Sequence, residues 1–127
     1  MAKTTMKTLL LTTFAALALT MGTLGAAAKK PATVIHVVTI KWKEGTTPDQ
    51  IAGALKGAET VSNSYKGISR VWTKALKVQG SGYTHAIVME FKNEQALKDY
   101  TDSPAQKEWY KIYLPLRGES TTHDITN

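Results

Sequence analysis

The chain has 127 residues, 16 of them Lys or Arg against 10 Asp or Glu, and no cysteine. The missing thiols exclude a disulfide framework, a cysteine nucleophile and a thiolate metal site. The net charge of +6 is spread as single residues, with no basic run longer than Lys29-Lys30. It lacks the clustering that a nucleic-acid-binding face needs.

Lys3 and Lys7 precede 21 uncharged residues, Thr8 to Ala28, rich in Leu, Ala and Thr and closing on Ala26-Ala27-Ala28. A basic start, an apolar stretch and a small-residue site form the pattern of a secretory signal peptide. Cleavage is predicted near Ala28, giving an exported protein, periplasmic or secreted. The run is long enough to cross a bilayer core of about 30 Å. Thr12, Thr13, Thr20 and Thr23 weaken it as a permanent anchor, so no stable membrane insertion is expected after cleavage. Arg and Ser, which mark organelle transit peptides, are absent from it. Residues 1–28 are read as the signal, 29–33 as a short linker and 34–127 as one domain. The remaining 99 residues hold 14 basic against 10 acidic side chains, a charge of +4. A domain this small buries only about 60–70% of its unfolded surface, so oligomerisation is a useful source of further burial.

The β-branched run Val34 to Trp42, bounded by Pro31 and Gly45, predicts a strand with Val34, His36, Val38, Ile40 and Trp42 on one face. Thr47-Pro48-Asp49-Gln50 is a capping box with proline at the first helical position. Ile51, Leu55, Ala58, Val61 and Tyr65 continue it as one apolar stripe, ended by Lys66-Gly67. A second strand is predicted over Ile68 to Val78, a turn over Gln79 to Gly82, and a third strand over Tyr83 to Phe91. Tyr83, His85, Ile87, Met89 and Phe91 share a face of that third strand. Asn93 caps a short helix through Tyr100. Ser103-Pro104-Ala105-Gln106 repeats the capping box and starts another helical piece, with Trp109, Ile112, Tyr113 and Leu116 on its apolar side and Pro115 ending or distorting it. Arg117-Gly118 reads as a turn into a weak last strand, Thr121 to Thr126.

The order β-α-β-β-α-β predicts an α+β, ferredoxin-like domain: a four-stranded antiparallel sheet with helices on one face. The other face of the sheet is too apolar to be left wet, so a second copy of the chain is its expected cover. The predicted assembly is a homodimer closed sheet to sheet into an α+β barrel.

Three stretches, "VIHVVTIKWKEGTTPDQI", "GYTHAIVMEF" and "LKDYTDSPAQKEWYKIYLPLRGESTTHDIT", together resemble the stress-responsive α/β-barrel domain family, the dimeric α+β barrels. The Gly82-Tyr83-Thr84-His85 opening of the third strand is the most specific match. The resemblance implies the dimeric barrel and, for function, a wide range. The best understood relatives are plant polyketide cyclases that close a ring without any cofactor. In them a histidine and a tyrosine in an apolar cavity between helices and sheet manage the proton transfers.

Carried onto this chain, the resemblance places the family's tyrosine at Tyr100, its strand histidines at His36 and His85, an aromatic wall at Trp109 and the last-strand aspartate at Asp124. The cyclase's key histidine falls on Gln106 and a second histidine on Ser103. Glutamine exchanges no proton near neutral pH, so the acid–base group is lost there. His36, His85 and Tyr100 are the expected catalytic or substrate-orienting groups. Val38, Val71, Ile87, Gln106, Trp109 and Asp124 are expected to line the cavity. No cofactor and no metal are expected: His36, His85 and His123 show no ligand spacing. Glycine-rich phosphate loops, a Gly-x-Ser-x-Gly elbow and paired carboxylates are also absent. Trp42, between Lys41 and Lys43, alternates into a core or interface position. The leading expectation is binding of a small apolar or aromatic molecule. A cofactor-free cyclase or lyase using His36 or His85 with Tyr100 is the alternative, and a purely structural stress protein the third.

Overall fold

Each predicted element forms, and the differences lie at the ends. The computed structural model describes residue 25 and residues 27–127; the predicted signal segment lies almost wholly outside the described residues. Strand β1 spans Val34–Trp42, followed by helix α1, Pro48–Ser64, and strands β2, Ile68–Trp72, and β3, His85–Phe91. Helices α2, Glu94–Tyr100, and α3, Pro104–Tyr113, lead to strand β4, Arg117–Ile125. The four strands pair antiparallel in the order β2-β3-β1-β4. This is the ferredoxin-like arrangement. Among the described residues no helix is long and apolar enough to cross a membrane.

The local chemistry accounts for the element starts. Thr47 Oγ1 accepts from the Gln50 amide at 3.2 Å and Gln50 Oε1 accepts from the Thr47 amide at 2.9 Å, a complete capping box. The second box is only half built. Ser103 Oγ accepts from the Gln106 amide at 3.2 Å, but Gln106 Oε1 accepts from the amide of Asp102, at 2.7 Å. The reason is the turn between α2 and α3. The Ser103 amide is already donated to the Tyr100 carbonyl, and Asp102, with φ at 63°, presents its own N–H instead.

Three boundaries differ from expectation. Strand β2 stops at Trp72 rather than Val78. Thr73 turns its hydroxyl to Glu59 of α1, and Leu76 beyond it is 98% exposed, so the chain has left the sheet. Strand β3 starts at His85, two residues late, after the Gly80 and Gly82 turn with its positive φ values. Strand β4 starts at Arg117 rather than Thr121, so the Arg117-Gly118 pair predicted as a turn is already strand.

The helix face of the sheet carries the core. Ile40, Ile87, Met89 and Phe91 are fully buried there under Tyr100 and Tyr113. Each such side chain contributes roughly 1.5–3 kcal/mol of burial, so this aromatic layer is a main source of stability. On the opposite face Ile35, Val37 and Val88 are half-buried, while Trp72 and Ile125 stand 44% and 57% exposed. Arg70 lies over the Trp72 ring and pairs with buried Glu90, which also accepts from Thr33 Oγ1 at 2.7 Å. The Arg70 charge and these hydrogen bonds hold the Glu90 carboxyl below the usual glutamate range.

Candidate functional site

The helix face of β1 and β4 forms a strip running from His36 and Asp124 at one end to Trp42 and Arg117 at the other. Helix α3 packs mainly on α1 and meets the sheet through the Tyr113 ring, which stands edge-on to Trp42 at 6.1 Å. Thr122 and Asp124 on this face of β4 stay exposed, so the strip is open along the β4 edge.

Each strand histidine is linked to its own tyrosine through one aromatic ring. His36 meets Phe91 edge-on at 6.0 Å, and Phe91 packs on Tyr100 at 5.2 Å. His85 meets Trp42 at 5.7 Å, and Trp42 meets Tyr113. The two histidines are not neighbours. His85 is registered against Ile40, four residues along β1 from His36, which is about 13 Å at strand rise. The expectation of both imidazoles facing one cavity with Tyr100 is therefore replaced by two aromatic clusters, with Tyr100 in the His36 cluster.

The hydrogen bonds give the imidazoles different roles. His36 Nδ1 lies 2.5 Å from Asp124 Oδ1, its cross-strand neighbour. With that proton donated to the carboxylate, the neutral ring keeps its lone pair on Nε2. The indole N–H of Trp42 donates to His85 Nδ1 at 2.9 Å, which makes Nδ1 the acceptor and leaves the proton on Nε2. Thr84 Oγ1 sits 2.8 Å from the same nitrogen. His36 is thus poised as an acceptor and His85 as a donor.

Tyr100 and Tyr113 are each 2% exposed, and neither hydroxyl has a hydrogen-bond partner among the described residues. Burial pushes the Tyr100 phenol well above its ordinary value, and the nearby Tyr110 and Tyr65 push it further. Burial likewise raises Tyr110 and Tyr113, with the Arg117 charge pulling each partly back. All three are neutral phenols near pH 7, able to donate a hydrogen bond but not to act as bases.

The other expected residues divide between the core and the turn. Val38 and Ile87 are register partners buried in the core, and Val71 is half-buried opposite Met89. Gln106 spends its carboxamide internally: Oε1 on the Asp102 amide and Nε2 on the Tyr110 hydroxyl at 3.2 Å. Trp109 turns away from the sheet. Its Nε1 donates to the Ala54 carbonyl at 2.9 Å, and its ring stacks on Tyr113 at 4.6 Å. It also walls a groove of about 620 Å³ between α1 and α3. Lys56 and Glu108 on that groove are engaged in ion pairs with Glu59 and Lys111, and neither histidine nor Tyr100 reaches it. The groove is therefore not the centre of the site. Among the described residues no three His, Asp or Glu side chains gather as a metal ion requires.

The family profile of the stress responsive A/B barrel domain matches residues 34–127. The chain belongs to this family. A relative in Arabidopsis thaliana, the stress-response A/B barrel domain-containing protein HS1, is 30% identical over 84 residues, covering 64% of this chain and 77% of that one. Among solved structures, the hydroxynitrile lyase of Passiflora edulis superposes with a TM-score of 0.67 at 18% identity, over 75% of this chain and 93% of its own. A dimeric ferredoxin-like protein of unknown function from Bacteroides fragilis gives 0.63 at 16% identity, over 78% and 100%. These two identities speak for the fold alone.

Within this A/B barrel domain, sequence reasoning missed Tyr110, Tyr113 and Arg117 as site residues. The spacing 106, 110, 113 already places Gln106 and both tyrosines on one helical face, a signal that was available. Arg117 was hidden because its place depends on a register shift.

Proposed function

We propose that this A/B barrel domain protein is a homodimer in which each subunit binds a small, mainly aromatic molecule on the strip between β1, β4 and α3. The observation that carries the reading is the pair of buried hydroxyls of Tyr100 and Tyr113, which have no hydrogen-bond partner among the described residues. An unmet buried hydroxyl costs about 1–3 kcal/mol. A ligand carbonyl or hydroxyl oxygen relieves that cost, and the surrounding Phe91, Trp42 and Tyr110 rings suit an aromatic body. The apolar sheet face with exposed Trp72 and Ile125 supports the homodimer, as does the dimeric Bacteroides neighbour. The charged start and small-residue end of residues 1–28 support export with cleavage near Ala28.

A second reading, a cofactor-free lyase or cyclase, draws on the His36–Asp124 pair. A carboxylate that orients an imidazole leaves Nε2 free to take a proton, and Tyr100 shares the same cluster as a neutral donor to a carbonyl oxygen. The Passiflora hydroxynitrile lyase is an enzyme on this fold. Against ring closure stands Gln106, which supplies no proton and is already held by Asp102 and Tyr110.

Ligand-detected NMR against a library of small aromatic carbonyl and phenol compounds tests the binding reading. Binders whose signals vanish with Tyr100→Phe are expected. Hits that bind equally to Tyr100→Phe and Tyr113→Phe contradict it. Turnover of any hit that is lost in His36→Ala while binding persists moves the assignment to the enzyme. A library without hits leaves the structural protein.

A further inference from the structure

The strand β4 begins with an irregularity in its register against β1. Lys41 pairs with Glu119 but the next residue, Trp42, pairs with Arg117, so Gly118 is bulged out of register. A Cβ on Gly118 would meet the Lys41 carbonyl oxygen at 2.9 Å and the Trp42 carbonyl at 3.1 Å, so only glycine lets the strands approach this closely. The bulge turns Arg117 onto the helix face beside Trp42, and bulges next to sites commonly re-aim one side chain in this way.

What Arg117 finds there is an aromatic corner. Its guanidinium carbon lies 5.7 Å from the centre of the Tyr113 ring. Trp42 closes one side, edge-on to that ring, with His85 beyond it. Arg117 is half-buried and takes part in none of the ion pairs among the described residues. Glu119, the nearest carboxylate on β4, points to the opposite face and pairs with Lys41 at 3.8 Å. The Tyr113 hydroxyl beside it is buried and has no partner at hydrogen-bond geometry among the described residues, although Arg117 and Ser120 both approach it. Among the described residues, a half-buried cation outside every ion pair therefore lies over the ring of a tyrosine whose buried hydroxyl has only Arg117 and Ser120 approaching it.

We propose that Arg117 and the Tyr113 hydroxyl form an anion-binding subsite that selects ligands bearing a carboxylate on an aromatic body. It rests on the ligand-binding reading above and names the substrate class of that site. A carboxylate supplies what both groups lack: acceptor oxygens for the guanidinium fork and for the phenol. The rings of Trp42 and Tyr113 receive the aromatic part. Arg117 is the specificity-determining residue, and the Gly118 bulge is what positions it.

Isothermal titration of the full protein with benzoate, cinnamate and 1-naphthoate, each against its neutral amide, tests this. The acid of at least one pair is expected to bind about ten- to a hundredfold tighter than its amide, the range for hydrogen bonds to a charged group. Raising the salt concentration is expected to narrow that gap. Arg117→Gln is expected to bring the acid down to the level of the amide while amide binding persists, and Arg117→Lys to keep much of the preference. Tyr113→Phe is expected to reduce it in part. Acid and amide binding equally to the unmodified protein overturns the proposal and leaves the ligand-binding reading standing, as does a preference that survives in Arg117→Gln. Binding of neither member of any pair overturns both.

Discussion

Replacing Tyr100 by Phe separates a binding pocket from a filled core, because the two roles of its hydroxyl pull in opposite directions. The ring contacts with Phe91 at 5.2 Å and Tyr65 at 5.4 Å are kept in the variant. Only an oxygen that is buried and unpartnered is removed. Releasing such a group from its desolvation penalty is worth about 1–3 kcal/mol, and the small void left behind takes back part of it. A net gain of about 1 kcal/mol raises the melting temperature of a domain this size by roughly 4–8 °C. Thermal unfolding followed by circular dichroism, without ligand, is expected to show that rise, while affinity for any aromatic hit falls about tenfold or more. Tyr113→Phe is expected to shift the same way but less, since Arg117 and Ser120 already approach its hydroxyl. A melting temperature lowered by several degrees in Tyr100→Phe refutes the reasoning, because it means the hydroxyl has a stabilising partner.

The same tyrosines set an alkaline limit. Burial raises the pKa of Tyr100, Tyr110 and Tyr113 above the ordinary 10.0, so the folded chain holds these protons more tightly than the unfolded one. Their contribution is complete below about pH 10 and is lost as pH rises through the folded values, so denaturant midpoints are expected to fall above pH 10, less steeply in Tyr100→Phe. Gly57→Ala places a Cβ 2.7 Å from Trp109 Cδ1, a ring held by its bond to the Ala54 carbonyl. Overpacking of about 1–3 kcal/mol outweighs the helix-propensity gain of at most about 1 kcal/mol, so urea unfolding is expected to show a net loss. Gln106→Leu strips the partner from the Asp102 amide in the α2–α3 turn and from the half-buried Tyr110 hydroxyl. A loss of about 1–3 kcal/mol is expected in the same assay, and an unchanged midpoint contradicts the role assigned to that carboxamide.

The architecture was legible because its signals are local and agree with one another. Thr47 and Ser103 cap where they were expected to, and alternation in Val34 to Trp42 and His85 to Phe91 gives the core face residue by residue. The ends of β2 and β4 were not legible for opposite reasons. Val71, Ala75 and Leu76 look like strand, yet the Thr73 hydroxyl bonds to Glu59 and the chain leaves the sheet. Arg117-Gly118 looks like a turn, yet Arg117, Glu119 and Ser120 pair with β1, because β4 is an edge strand whose open helix face imposes no apolar alternation.

The site was half legible. His36 and Asp124 meet as cross-strand neighbours, and Tyr100 lies one ring away. His85 went to a separate cluster because a single strand pairing holds it about 13 Å along β1 from His36. Gln106 and Trp109 were placed in the pocket by resemblance, whereas hydrogen bonds draw one into the α2–α3 turn and the other onto α1. Arg117 depends on a one-residue bulge, which no pattern of apolar residues announces.

Native mass spectrometry of the protein purified from its own host, under conditions that preserve assemblies, tests the central claim most directly. A mass of two chains, each carrying one small organic molecule, is the result predicted, with that molecule lost from Tyr100→Phe. A homogeneous species without any bound molecule in every preparation, unchanged by Tyr100→Phe, contradicts the claim.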